Sequence, residues 1–262
     1  ITKQLMPGKK NTLAVRLENL PESSRWYPGA GLYRNVHVIV TENAHIPVWG
    51  TYVTTPTATK EFAKVNVRTQ IVLLEGADAG KYSVKTSVWN PNGQKLTEQT
   101  IPLSQIKYND NSLSQEFIIQ TPTLWSPDMP ALYSAETRLY EGDQLKDIYT
   151  TPFGIRSIEI IPNKGFFLNG EKTVFKGVCN HHDLGPLGAA VNDAAIRRQI
   201  RILKDMGCNA IRTSHNMPAP ELVRACDEMG MMLMVESFDE WNKAKCANGY
   251  NLIFDEWVEK DL

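Results

Sequence analysis

"NAIRTSH", residues 209–215, changes character midway. Asn209, Ala210 and Ile211 begin as a buried strand begins, and Arg212, Thr213, Ser214 and His215 follow with no turn between. Upstream, "NDAAIRRQIRILKDMG" (192–207) predicts a helix. Asn192 or Asp193 caps it, Ile196, Ile200 and Leu203 share one face, and Gly207 ends it. Downstream, "APELVRACDEMG" (219–230) predicts a second helix, with Pro220 in its first turn and Gly230 past its end. "MMLMVES" (231–237) is a nearly continuous apolar strand, and "FDEWVEKDL" (254–262) opens another helix. Ahead of the first helix, "FFLNGEKTVFKGV" (166–178) predicts a hairpin with a type I′ turn at Asn169-Gly170, and its "TVFKGV" part (173–178) reads as a strand. Strands that are apolar throughout and alternate with helices form a parallel sheet covered on both faces.

All strands of such a sheet end on the same side, and in a barrel that side carries the active site. Three successive strand ends therefore bring His181, His182, Asp183, Arg212, His215, Glu236, Asp239, Glu240 and Trp241 to one rim. Taken singly, each has a plainer reading. A histidine at a strand end caps a backbone group, Arg212 pairs with a structural carboxylate, Trp241 belongs to the core, and Asp239 and Glu240 are solvated charges. The functional reading rests on the three clusters converging, because structural accidents would scatter over both ends of the sheet. Histidine, arginine, carboxylate and indole together suit a neutral, polyhydroxylated ligand: the polar groups bond hydroxyls and the indole covers the C–H face of a pyranose. His181, His182 and Asp183 are adjacent, and neighbours on an extended chain point apart, which disfavours a metal site. The chain has no nucleophile elbow, phosphate loop or dinucleotide fingerprint.

The 262 residues preceding and including this region carry a net charge of -1 and 42% hydrophobic residues. No run of like charges suggests nucleic acid, and no apolar stretch reaches the roughly 18 residues that span a bilayer. The start, "ITKQLMPGKK", lacks both an initiator Met and an apolar leader core, so the chain is expected to be a segment of something longer, with its localisation open and a periplasmic or secreted bacterial site compatible with it. Cys179, Cys208, Cys226 and Cys246 show no metal-ligand spacing and read as buried free thiols.

The remaining sequence is β-rich. In residues 43–154, "AKVNVRTQIVL" (63–73), "KYSVKTSVW" (81–89) and "LYSAETRLY" (132–140) alternate, with "NPNG" and "EGDQ" as turns, which fits an immunoglobulin-like β-sandwich. In residues 1–42, "NTLAVRLEN" (11–19) and "NVHVIV" (35–40) read as strands around a loop rich in Pro, Gly and aromatics. So few strands cannot enclose a core, and the region is expected to be the end of a domain.

The stretch "NAIRTSHNMPAPELVRACDEMGMMLM" (209–234) resembles the signature of glycoside hydrolase family 2, and of its bacterial β-galactosidases in particular. It departs from that pattern at Asn216 and Met217, where Tyr-Pro is usual. "SRWYPGAGLYRNV", "LWSPDMPALY", "FGIRSIEI", "FFLNGEKTVFKGVCNHHD" and "VESFDEW" are further matches, so the resemblance spans nearly the whole chain. It implies a multidomain β and α/β protein. Residues 1–42 would be the C-terminal part of a jelly-roll sugar-binding domain, 43–154 the sandwich, and 155–262 the first three β/α units of a (β/α)₈ TIM-barrel catalytic domain. It also implies a retaining, exo-acting hydrolase of terminal β-galactosides with two catalytic glutamates, which retention holds ~5 Å apart. Both would lie beyond Leu262, so no catalytic residue is expected in this chain, and the chain alone is expected to be inactive. His181 and His215 match family histidines that contact the sugar, and Arg212 matches an arginine that orients the nucleophile. Asp239 and Trp241 are expected in the same pocket.

"FDEWN" has no histidine like that of the family's magnesium site, so neither metal nor cofactor is expected. It also lacks the Cys-Pro-Gly run of β-glucuronidases. The implied partner is a β-galactoside or a related oligosaccharide, with no nucleic acid or membrane, and with homo-oligomerisation left open. The alternatives are a β-glucuronidase or other family specificity, or a non-catalytic carbohydrate-binding fragment. A barrel interrupted after three strands is expected to leave Val174, Ile211, Leu233 or their neighbours open on its inner face.

Overall fold

A computed structural model of the chain describes residues 1–25, 31–74, 77–105 and 112–262. Its first half is antiparallel. The strands are β1 (Ala44–His45), β2 (Thr51–Ala58), β3 (Phe62–Gln70), β4 (Val72–Leu73), β5 (Tyr82–Trp89), β6 (Lys95–Pro102), β7 (Ser112–Gln120), β8 (Tyr133–Glu141) and β9 (Gln144–Phe153). One sheet runs β2-β3-β7 and the other β6-β5-β8-β9, with β1 and β4 as a small pair beside them. Val65, Val67 and Phe117 from the first sheet pack on Val88 and Ala135 from the second. A buried polar row crosses this core. Thr86 Oγ1 donates to Gln115 Oε1 at 2.6 Å, and Gln115 Nε2 donates to Gln99 O at 2.9 Å, so the buried glutamine keeps its bonds.

The alternating segments of the sequence are the inner strands β3, β5 and β8. Each has neighbours on both sides and one buried face, which enforces strict alternation. The strands not predicted, β2, β6, β7 and β9, lie at sheet edges. β6 is mostly exposed and polar, and β7 alternates only if Gln115 counts as an inward residue. Residues 1–42 differ from expectation: no strand forms among their described positions, and Leu13, Val15, Leu17, Val36 and Val38 are exposed. An alternating sequence becomes a strand only where another strand supplies hydrogen-bond partners, and here none lies beside it.

The second half contains the hairpin strands β10 (Ile158–Ile161), β11 (Gly165–Leu168) and β12 (Glu171–Lys172). β13 (Gly177–Asn180), α1 (Asp193–Asp205), β14 (Ala210–Thr213), α2 (Pro220–Met229), β15 (Met232–Met234) and α3 (Phe254–Asp261) follow. Asn169 and Gly170 turn β11 into β12 with φ of 54° and 80°, the two positive values of a type I′ turn. β13, β14 and β15 form a parallel sheet in sequence order. The segment Thr173–Lys176, predicted as strand, runs outside the sheet.

Asn192 caps α1 by accepting from Ala195 N at 3.0 Å, and Ile196, Ile200 and Leu203 face the sheet as their spacing requires. They bury Ile211, with Val178 and Leu233 packed against the same cluster. Ile211 is only 1% exposed, so it faces the helices and not the inner side of the strands; the open residues are Val174, in the segment outside the sheet, and the neighbours Cys179 and Met234.

Gly177 sits where the two strands touch. A Cβ there would come 2.0 Å from Ala210 O, so no larger residue fits without separating β13 from β14. The sandwich and sheet join through "LWSPDMPALY". Trp125 is buried there, its indole donating to Asp227 O at 2.9 Å, and Lys204 Nζ donates to Pro127 O and to the α2-terminal carbonyl of Met229 at 2.8 and 2.7 Å. Among the described residues no helix is long and apolar enough to cross a membrane.

Gly177→Ala should destabilise the β13–β14 ladder by ~1–3 kcal/mol, the usual cost of overpacking. Hydrogen exchange should then quicken in residues 177–180 and 210–213 while the sandwich keeps its protection. Unchanged exchange in those two strands would contradict the close approach.

Candidate functional site

Parallel pairing sets Cys179 beside Arg212 and Arg212 beside Met234. Since Val178, Ile211 and Leu233 pack toward the helices, these alternate residues point to the opposite face. Arg212 there meets Glu236 from the end of β15: Nη2 lies 2.6 Å from Oε2. His215 Nδ1 lies 2.8 Å from the same oxygen. A carboxylate only accepts, so this contact assigns the hydrogen to Nδ1. The 3.2 Å approach of Arg212 Nη2 to His215 Nδ1 is then two donors sharing one acceptor. Glu236 N in turn donates to Thr213 Oγ1 at 3.0 Å, which ties the ends of β14 and β15 together. The Ser214–His215 peptide is cis. His181, at the end of β13, meets His215 edge-on, with ring centroids 5.4 Å apart and planes at 90°.

Two predicted residues, Arg212 and His215, thus meet at Glu236, and a third, His181, packs on His215. Asp239 stands on the same rim in a separate contact. Arg25 Nε and Nη2 reach Asp239 Oδ2 and Oδ1 at 3.1 and 2.5 Å, and Lys245 Nζ lies 3.4 Å from Oδ1. Burial works to raise the Asp239 carboxyl, but these two cations outweigh it and hold it below its ordinary 3.8. Trp241 is half-exposed and belongs to an aromatic group: its ring lies edge-on to Phe238 at 5.7 Å and tilted to Phe254 at 5.9 Å, while Phe238 stacks on Tyr250 at 4.7 Å.

Glu240, placed on the rim by the sequence with a solvated charge as its plainer reading, is 5% exposed. It accepts from Lys245 N and lies 3.5 Å from Cys246 Sγ, closing the loop that follows β15. Gly249 abuts it so closely that a Cβ would overlap its Oε2. Cysteine burial is also narrower than expected: all four are free, but only Cys226 is buried, and Cys179 is exposed on the site face. Among the described residues no group of His, Cys, Asp or Glu is arranged to hold a metal ion.

His182 turns away from His181, as alternation demands, and stacks on Tyr33 with centroids 5.4 Å apart. Asn216 Nδ2 lies 2.9 Å from its Nδ1. The departure from the family pattern at Asn216 therefore has a structural use. Sequence reasoning missed the contacts of Arg25 and Lys245 with Asp239. It noted Glu236 at the rim but gave it no binding role. The signal for Arg25 was its place in the "SRWYPGAGLYRNV" match, but nothing local shows which carboxylate it faces.

The family model described as "Glycosyl hydrolases family 2" matches residues 44–156, and "Glycosyl hydrolases family 2, TIM barrel domain" matches 159–256. The beta-galactosidase BoGH2A of Bacteroides ovatus is 43% identical over 100% of this chain, which spans 31% of that protein. A beta-glucuronidase of Bacteroides fragilis is 28% identical over 90% of the chain and 35% of its own length. The crystal structure of a glycosyl hydrolase family 2 member from Bacteroides cellulosilyticus superposes with a TM-score of 0.85 at 36% identity, covering 91% of this chain and 31% of that one. The chain thus spans about a third of these relatives' length.

Partial burial of His182, with the Arg34 and His181 charges nearby, outweighs the Asn216 contact and holds the imidazole below its ordinary 6.5. The unfolded chain therefore takes up this proton first as pH falls. The associated stability is complete above about 6.5 and declines as pH drops from there toward the folded-state value. Between about pH 7.5 and about pH 5.5, the thermal midpoint of His182→Gln should fall less than that of the parent. Equal slopes would show that His182 is not held neutral by the fold.

Proposed function

The chain belongs to glycosyl hydrolases family 2, and from that premise we propose that its protein is a retaining, exo-acting β-glycosidase that removes terminal β-galactosides. The observation that carries the reading is the cluster of His181, Arg212, His215 and Glu236 at the strand ends. It presents nitrogen donors and carboxylate acceptors on one face, which is what a ring of hydroxyls needs. Among the described residues Arg212 Nη1 faces Cys179 Sγ and Ser214 Oγ, each at 3.5 Å, and no carboxylate, so it keeps donating capacity toward the cleft. On this reading that capacity orients the nucleophilic carboxylate, and His181 and His215 bond the sugar as its ring flattens toward an oxocarbenium ion. Asp239 accepts from another hydroxyl, and Trp241 lies under the apolar sugar face.

The acid/base and nucleophile are assigned to positions beyond Leu262. Support comes from the state of the carboxylates present. Glu236 is bridged by Arg212 and His215, and Asp239 is chelated by Arg25 and Lys245, so each serves its own donors and the two do not form an opposed pair. A neutral sugar is favoured over a glucuronide because Arg212, Arg25 and Lys245 already face carboxylates. The β-glucuronidase among the relatives keeps the acidic sugar as the second reading.

In the full-length protein, an aryl β-galactoside should be turned over with kcat/KM at least about tenfold above the matching β-glucuronide. His181→Ala and His215→Ala should each lower kcat/KM by more than about tenfold, and Arg212→Lys should lower it because lysine lacks the planar fork. The opposite substrate preference would overturn the specificity. Parental kinetics in all three variants would remove these residues from the cleft.

A further inference from the structure

Residues 21–25 and 33–35, ahead of the sandwich, contact the loops that follow all three parallel strands. Pro21 O and Glu22 O accept from Asn248 Nδ2 and Asn248 N at 2.7 and 3.0 Å, and Arg25 holds Asp239, all in the loop after β15. Tyr33 stacks on His182, and its carbonyl accepts from Val191 N at 3.0 Å, in the loop after β13. Arg34 Nη2 donates to Met217 O and Asn35 Nδ2 to Glu221 Oε1, each at 2.5 Å, at the loop after β14 and the start of α2. A chain that touches three successive strand ends is a wall of whatever cleft those ends surround.

We propose that Arg25 is a positioning residue that fixes the Asp239 carboxylate for a sugar hydroxyl, so that this N-terminal segment completes the sugar-binding rim. The inference rests on the glycosidase reading given above. Arg25 and Asp239 are 214 residues apart, and the pair uses both guanidinium edge nitrogens and both carboxylate oxygens. Such a fork restricts carboxylate rotation, whereas one lysine contact at 3.4 Å does not. Oδ1 already takes Lys245 Nζ as well, at 3.4 Å, whereas Oδ2 keeps a second lone pair for a ligand hydroxyl. The side chains are 43% and 20% exposed, and pairs so open to water add little to folding. Orientation is the larger consequence.

The test is a double-mutant cycle in the full-length protein with an aryl β-galactoside. Arg25→Gln and Asp239→Asn should each raise KM about tenfold, with kcat changed less, and the double variant should be no worse than Asp239→Asn alone. Arg25→Lys should recover part of the loss. Removing Arg25 also removes a group that lowers the Asp239 carboxyl, so the acidic limb of kcat/KM should move to higher pH, which a purely structural role would not cause. If Arg25→Gln fails to fold, the cycle with Arg25→Lys and Asp239→Asn decides by the same criterion. A parental KM in Arg25→Gln, or costs that multiply in the double variant, would overturn the inference while leaving the glycosidase reading intact. A parent without turnover would overturn both.

Discussion

The close approach of β13 to β14 at Gly177 is the constraint on which the site depends. It permits the register that pairs Cys179 with Arg212 and Asn180 with Thr213. That register sends Val178 and Ile211 toward α1 and α2, and it sends Arg212 to the opposite face. The chemistry of "NAIRTSH" follows from it: the stretch is apolar where helices cover it and polar where the strand ends. A shift of one residue would exchange the faces and bury a guanidinium beneath the helices.

Charge matching organises the rim that results. Arg212 and His215 meet at one oxygen of Glu236, and Arg25 and Lys245 converge on the single carboxylate of Asp239. The two groups come from different loops and different distances along the chain, which makes the rim a product of the tertiary fold. Tyr33 on His182 and Arg34 on Met217 O brace the same edge from outside the sheet. The apolar side is independent of this: Trp125 and Lys204 lock the sandwich to α1 and α2 at the other end of the sheet.

Local signals carried most of what the sequence revealed. The caps of α1 and α2, the Asn169-Gly170 turn and the inner strands β3, β5 and β8 were legible, because each is dictated by residues close together in the chain. So were His181, Arg212 and His215, which lie at strand ends whose direction the pattern fixes. What escaped depended on distant partners. The edge strands lack strict alternation, and Gln115 inside β7 is polar only because Thr86 and Gln99 wait for it. Leu13, Val15 and Leu17 alternate without finding a ladder. Asp239 was expected in the pocket but without its partner Arg25, and Glu240 turned out to be the closing bond of its own loop.

The most direct test of the account is a crystal structure of the full-length protein with galactose bound. The account predicts sugar hydroxyls within about 3.2 Å of His181, His215 and Asp239, and the ring face against Trp241. It also predicts Arg25 still paired with Asp239. Galactose bound away from the ends of β13, β14 and β15, with those side chains more than about 3.5 Å from any hydroxyl, would contradict it.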